Sequence, residues 1–249
     1  MVAERSELVR IYGASTGFWS SSGRHEVHDE WWLALSGGRN ANFNLACCQS
    51  ASTASFRQNC LDPVMDLGQP SIIMLTGGGL TQVNTLEDLG WIPVGSLPLM
   101  LSSSHSWTYE DASDVREIRA DEIEEARSIL QAAFGLDETS ALTALPTSIL
   151  DERDVATWGL FDGRQLIACA IIVKQNGLSV VWSMATRPAD QKRGFGRRLL
   201  RSVLFDDREG VDGSLLSASK AGEGLYRNLG YQEIDSLRLW SRPRWVLGA

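Results

Sequence analysis

Gln191-Lys192-Arg193-Gly194-Phe195-Gly196-Arg197-Arg198 constrains this chain more than any other stretch, because of what flanks it. Upstream, Leu178 to Ala185 is apolar and rich in β-branched and large residues, the pattern of a buried strand. Downstream, Gly196, Leu199, Leu200 and Val203 fall at i, i+3, i+4 and i+7, the stripe of a helix laid on a sheet. Glycines at the junction let the backbone approach a ligand closely, and the N–H groups of the first helical turn point at it. Lys192, Arg193, Arg197 and Arg198 crowd this same end, where the helix macrodipole disfavours cations. A chain that nevertheless places them there is neutralising an anion, and the expectation is phosphate or pyrophosphate.

The segment is not a Walker loop, since no Gly-Lys-Ser/Thr follows. It is not the dinucleotide fingerprint either, which needs a third glycine and a later acidic residue. Further on, a short apolar strand from Ser214 to Ser217 leads into Ala218-Ser219-Lys220-Ala221-Gly222. Then comes Leu225-Tyr226-Arg227-Asn228-Leu229-Gly230-Tyr231. The order of the two segments is strand, Gln-x-x-Gly-x-Gly, helix, strand, then a helix carrying a Tyr and ending at Gly-aromatic. This resembles the acyl-CoA motifs of the GNAT-type N-acetyltransferases.

Composition fits an ordinary soluble enzyme. The chain has 249 residues and a net charge of -8, which points to no nucleic-acid or acidic-membrane partner. Its apolar runs are strand-sized, and Met1 to Glu7 lacks the basic and apolar regions of a signal peptide. Cys47, Cys48, Cys60 and Cys169 show no framework spacing, so reduced thiols and a cytoplasmic location are expected.

A polar stretch from Leu101 to Ser113, including Tyr109-Glu110-Asp111-Ala112, reads as a linker. Beyond it, Val115 to Ile118 reads as a strand, and Asp121 with Glu124 as a capping box. Ile123, Ala126, Leu130 and Ala133 make a helical stripe stopped by Gly135. A looser segment runs to Leu150. Strands are expected over 156–161, 166–173 and 178–185, separated by the hairpin pairs Asp162-Gly163 and Asn176-Gly177, and a last strand over 233–240. The expected class is α/β with a mixed sheet: an antiparallel meander feeding a strand–helix–strand crossover.

The first half holds a faint copy of the second. Leu89-Gly90-Trp91-Ile92-Pro93-Val94 with Leu97 and Leu99 parallels Leu229-Gly230-Tyr231-Gln232-Glu233-Ile234 with Leu237 and Leu239. Ile72 to Leu75 likewise parallels Leu215 and Leu216. Leu86 stands where Tyr226 does, and Ser50 to Ser55 replaces the glycine loop. Two readings remain open. One is a tandem chain, with a smaller, truncated, non-catalytic GNAT-like domain over 1–105 before a GNAT-like C-terminal domain over 114–249. The other is an unrelated α/β cap.

Elsewhere, bland readings carry more weight. His25 and His28 lack the Cys or acidic partners of a metal site, so no metal is expected. The adjacent Cys47 and Cys48 cannot point the same way on a strand, which argues against a redox pair. Asn40, Asn42 and Asn44 suit either turns or a pocket shared between the halves. Trp31, Trp32, Trp158 and Trp182 read as core or interface residues.

The resemblance implies direct transfer of an acyl group, most simply from acetyl-CoA, to a small-molecule or peptide amine. It implies that the pantetheine arm pairs with Ser183-Met184-Ala185-Thr186. It implies too that the amides of Arg193, Gly194, Phe195, Gly196, Arg197 and Arg198 would hold the pyrophosphate, with Gln191 and Lys192 opening the loop. Ser219 stands where the family commonly carries Asn. Tyr226 matches the general acid that protonates the leaving thiolate, suited to this by a reference pKa of about 10. Many family members carry a carboxylate on the central strand, whereas Val180 to Thr186 has none. A water chain ending on Asp151, Glu152 or Asp154 is one route for the amine proton. A non-catalytic acyl-CoA sensor is the competing class, and a structural role with a dead site a third. The identity of the acceptor and the choice between monomer and homodimer stay open, as does an acceptor site between the halves.

Overall fold

In the computed structural model, which describes residues 4–20, 23–108 and 113–246, Asn176 and Gly177 both adopt left-handed backbone, with φ of 47° and 75°. That pair of angles is a type I′ turn, whose twist matches antiparallel strands, so the hairpin forms where expected. Among the described residues the strands are β1 (Arg24–Val27), β2 (Trp31–Leu35), β3 (Asn44–Cys48), β4 (Ile72–Leu75), β5 (Ile92–Ser103) and β6 (Val115–Glu117). They continue with β7 (Val155–Asp162), β8 (Gln165–Gln175), β9 (Leu178–Thr186), β10 (Gly213–Ser217) and β11 (Gln232–Ser241). The chain forms two compact units, one of Met1–Leu99 with Glu233–Ala249 and one of Met100–Gln232.

In the unit of Met100–Gln232, β6, β7, β8 and β9 pair antiparallel in sequence order, and β10 lies parallel to β9. The mixed sheet expected from the sequence is therefore present. The helix Phe195–Asp207 makes the crossover between the parallel strands. Its Leu199, Leu200, Val203 and Leu204 pack with Ala168, Ala170 and Ile172 of β8, Val181 of β9 and Leu216 of β10. These helix positions are fully buried, and truncating any one of the three leucines to Ala costs about 2–5 kcal/mol. That packing fixes the helix N-terminus at the C-terminal end of β9.

The helix Ile123–Phe134 buries Ile123, Ala126, Ile129 and Leu130, and Gly135 ends it in left-handed backbone at φ 66°. Its start differs from the expected Asp121/Glu124 box. Glu122 instead accepts from the Arg119 amide at 3.0 Å and sits in a fork from Arg116 at 2.6 and 2.7 Å. The two-bond guanidinium contact outcompetes a solvent-facing Asp121, and a 3-10 turn over Ala120–Glu122 precedes the helix. The Arg116 hydrogen bond, chiefly, holds the Glu122 carboxyl down at about 2. A depressed folded-state pKa contributes stability above the unfolded value, near 4.3, that disappears as pH falls toward 2. Glu122→Gln should therefore flatten the acid limb of stability between about pH 4 and 2, read from denaturation midpoints. An unchanged limb would contradict this.

In the other unit, β1, β2 and β3 run antiparallel, β4 lies parallel to β3, and β11 pairs antiparallel with β4. A helical segment over 53–67 links β3 to β4, with one π turn over Arg57–Leu61. Leu33, Ala46, Phe56, Leu61, Ile73, Leu75 and Leu86 are core residues of this unit. Cys47 and Cys48 lie on opposite faces of β3 and are both buried, as are the free thiols of Cys60 and Cys169. Asp235, almost fully buried, bonds Arg5 and Thr76. Asn44 is a turn clamp, accepting from the Gly37 amide at 3.0 Å and donating to the Gly38 and Pro70 carbonyls at 2.7 and 2.8 Å. His25 Nε2 lies 3.2 Å from the Gly13 carbonyl, and His28 stacks on Trp31. Trp32 is fully buried, while Trp31, Trp158 and Trp182 are half-buried.

Leu101 to Ser103, expected in a linker, extend β5 instead. The Trp107 indole donates to Ser102 at 3.0 Å, and a 3-10 turn over Ser104–Ser106 follows. The linker residues Tyr109 to Ala112 and the N-terminal Met1 to Ala3 lie outside the described residues. Among those described, no helix is long and apolar enough to cross a membrane.

Candidate active site

β9 changes its pairing in two ways near its C-terminal end. Pairing with β10 covers Leu178 to Val180 only, so the strand edge beyond Val180 has no β10 partner. On the other side the register with β8 slips, Ile171 facing Trp182 but Cys169 facing Ala185. One extra residue is therefore inserted opposite Ala170, and Ser183 absorbs it in left-handed backbone at φ 48°. A non-glycine residue held there is strained, and such strain gathers at functional sites. Beyond the bulge, Met184 to Thr186 line a groove along the free edge.

That groove has a volume of about 560 Å³ and lies wholly within the unit of Met100–Gln232. Of the residues singled out from sequence, Met184, Ala185, Thr186, Gln191, Lys192, Arg193, Gly194, Phe195, Gly196, Arg197, Ser219 and Tyr226 all line it. Ala133, Phe134, Asp190, Ala221, Gly222 and Leu225 complete the wall.

The loop before the helix is shaped to present amides. Lys192 and Gly194 both have positive φ, 61° and 88°, which curls the backbone so that successive N–H groups converge. The first intrahelical bond runs from Arg198 N to Gly194 O at 3.0 Å, so the amides of Phe195, Gly196 and Arg197 have no acceptor within the helix. Gln191 Nε2 donates to the Thr186 carbonyl at 3.2 Å, tying the loop to the end of β9. Gly196 is required by proximity, since a Cβ there would lie 3.1 Å from Met184 Cε and 3.3 Å from Thr186 Oγ1.

The cations divide. Arg198 turns away to an ion pair with Asp114 at 2.8 Å and, like Ser183, does not line the groove. Arg193 pairs with Asp190 at 2.6 Å and lies over the Phe195 ring. Among the described residues, Lys192 and Arg197 have no ion pair, so their charge is uncompensated.

At the other wall, Tyr226 is 9% exposed and its hydroxyl lies 3.8 Å from Met184 Sδ, directly over the bulge. Burial pushes its pKa up to about 12, so it is protonated at any physiological pH. Its ring packs edge-on against Tyr231, whose hydroxyl donates to Ser214 at 2.6 Å. Gly222 makes room for it, as a Cβ there would come within 3.0 Å of the ring. Ser219 accepts from the Gly222 amide at 3.2 Å and so shapes the turn into the Tyr226 helix. Asp151, Glu152 and Asp154 are exposed and do not line the groove.

Sequence reasoning passed over Asp190 and Phe134. Asp190 could have been found from Arg187 and Arg193 three residues to either side. Phe134 could have been found as a large apolar residue just before a helix-stopping glycine.

Residues 153–233 match the family described as Acetyltransferase (GNAT) domain. That span contains the loop, the helix that follows it and Tyr226. Known structures share the fold of the chain. A GCN5-related N-acetyltransferase from Kribbella flavida superposes with a TM-score of 0.69 at 18% identity, covering 96% of this chain and 97% of its own. One from Sphaerobacter thermophilus gives 0.60 at 13% identity, covering 95% and 90%. A functionally unknown conserved protein from Staphylococcus epidermidis gives 0.64 at 11% identity, covering 88% and 94%. No curated protein matches the chain.

Proposed function

We propose that the unit of Met100–Gln232 is an acyl-CoA-dependent N-acyltransferase that moves an acetyl group from acetyl-CoA directly to a small-molecule or peptide amine. One observation carries this reading. A single groove joins anion-ready helix amides and uncompensated cations at one end to a buried, protonated phenol over a bulged strand edge at the other. The residues fit acyl-CoA. The amides of Phe195 to Arg197 with Lys192, Arg193 and Arg197 suit the pyrophosphate. The free edge of β9 from Ser183 to Thr186 suits the amide groups of the pantetheine arm. The apolar wall of Phe134, Leu225 and Met184 suits its methylenes.

In the transfer, the amine nitrogen bonds to the thioester carbonyl carbon and the carbon–sulfur bond breaks. Tyr226 gives its hydroxyl proton to the departing thiolate, which would otherwise leave as an anion into an apolar wall. The amine must shed a proton. The groove carries one carboxylate, Asp190, which is already committed to two guanidiniums. This proton passes to water at the mouth.

The absence of a carboxylate on β9 favours a second reading, a non-catalytic acyl-CoA sensor that keeps the pocket. The test is release of free thiol from acetyl-CoA across a panel of amines. Amine-dependent release supports the enzyme, and saturable binding without release supports the sensor.

We also infer that the two halves of the sequence, residues 1–105 and 114–249, are copies of one ancestral fold, of which only the second retains a site. Both run antiparallel meander, helix, parallel strand, short helix and long strand. Their turn geometry agrees bond for bond. Trp91 N donates to Leu86 O at 2.9 Å and Tyr231 N to Tyr226 O at 3.1 Å, with Gly90 and Gly230 at φ 75° and 88°. Leu86 in place of Tyr226 and Ser50 to Ser55 in place of the loop leave the first copy without acid or cations. Calorimetric titration should therefore give one CoA per chain. A stoichiometry of two would contradict this.

A further inference from the structure

We propose that Asp190 is a positioning residue that holds Arg193 ready for the pyrophosphate, an inference that rests on the acyl-CoA reading of the groove. A carboxylate is an unexpected wall for an anion site, and burying one is unfavourable unless it is paired. Asp190 is 6% exposed, yet it lines the groove. Its Oδ2 accepts from Arg187 Nε at 2.5 Å and its Oδ1 from Arg193 at 2.6 Å. Its own amide donates to the Arg187 carbonyl at 2.8 Å, closing the turn over Pro188–Asp190 that leads into the loop.

Arg193 itself is 61% exposed at its side chain. Without an anchor, so long a side chain would lose most of its rotamer freedom on meeting a phosphate. The Asp190 bond and the Phe195 ring, 4.9 Å from the guanidinium carbon, restrain it beforehand. Asp190 thus exerts two opposite effects on an incoming anion. Its charge repels, and its bond to Arg193 pre-orients a donor. Two guanidiniums share the carboxylate, so the cluster of Arg187, Asp190 and Arg193 keeps a net positive charge. Pre-orientation is the effect that dominates.

This gives a test whose sign separates the two effects. Asp190→Asn makes the site more positive, so charge alone predicts tighter CoA binding. Positioning through Arg193 predicts weaker binding. In calorimetric CoA titrations, Arg193→Ala should weaken binding about tenfold and Asp190→Asn by roughly three- to tenfold. In the double variant, Asp190→Asn should add no more than about twofold to the Arg193→Ala loss, because its effect passes through that side chain. Should Asp190→Asn not fold, Arg193→Lys replaces it, with a loss expected close to that of Arg193→Ala, since a single ammonium nitrogen cannot hold Asp190 and present a phosphate donor as the two ends of a guanidinium can. Tighter or unchanged binding in Asp190→Asn, additive losses in the double variant, or full affinity in Arg193→Lys would overturn the role of Asp190 while leaving the groove assignment standing. Unchanged affinity in Arg193→Ala, or no CoA binding by the unmodified chain, would overturn the assignment of the loop and this inference with it.

Discussion

Tyr226→Phe should lower kcat by about 10² to 10⁴ while leaving CoA affinity and melting temperature nearly unchanged. The ring is what packs, edge-on to Tyr231 and against the Leu199–Leu204 core. The hydroxyl makes one contact, a weak one to Met184 Sδ at 3.8 Å. Removing it therefore costs little structure. If Tyr226 protonates the thiolate, the loss appears only where the thiolate forms, in the transition state. Because burial holds the phenol at about 12, the proposed reaction should show no alkaline loss of rate from this group below about pH 11. Rate and melting temperature measured on one preparation separate the roles. A fully active Phe variant would leave thiolate protonation to solvent and reduce Tyr226 to a plug in the sheet.

Gly196→Phe should reduce CoA affinity by on the order of 100-fold or more, the loss expected when about two charge-assisted amide–phosphate bonds are blocked. The Cβ alone would meet Met184 Cε at 3.1 Å and Thr186 Oγ1 at 3.3 Å. Met184 can swing by a few tenths of an ångström, so Gly196→Ala should be mild. A benzyl group has no space against β9 and must project into the groove, across the amides of Phe195 to Arg197. The position is in the first turn and away from the Leu199–Leu204 packing, so the fold should survive. Calorimetry with both variants checks the pair, and equal affinity in Gly196→Phe and the unmodified chain would place the ligand elsewhere.

Local chemistry explains what could be read from the residues. Asn176-Gly177 dictates a tight hairpin by its backbone freedom, and the Gly-x-Gly loop lies between a β-branched run and a helical stripe whose period changes at the junction. Those signals are local and survived folding. Features that depend on register did not announce themselves. The bulge at Ser183 exists only because β8 and β9 slip by one residue against each other, which no single strand encodes. Arg198 stands beside Arg197 in the sequence. Consecutive helix positions point about 100° apart, however, and Asp114 takes Arg198 away. The capping box moved because a tertiary partner, Arg116, competes for Glu122. The Leu101–Ser103 segment reads polar yet continues β5, where its serines find partners such as the Trp107 indole.

Direct transfer, the proposed reaction, requires that the acyl group never rests on the protein. None of the four cysteines lines the groove; burial pushes the Cys169 thiol up to about 12, and Cys48, whose thiol a hydrogen bond with Cys60 lowers, is enclosed in the core of the other unit. The most direct measurement is a single turnover with isotope-labelled acetyl-CoA and an amine from the reactive panel, followed by mass spectrometry of both protein and small molecules. The account predicts label on the amine nitrogen, one equivalent of free CoA thiol, and an unlabelled chain at every time point. Label accumulating on the protein, or thiol release with the label appearing as acetate, would contradict it.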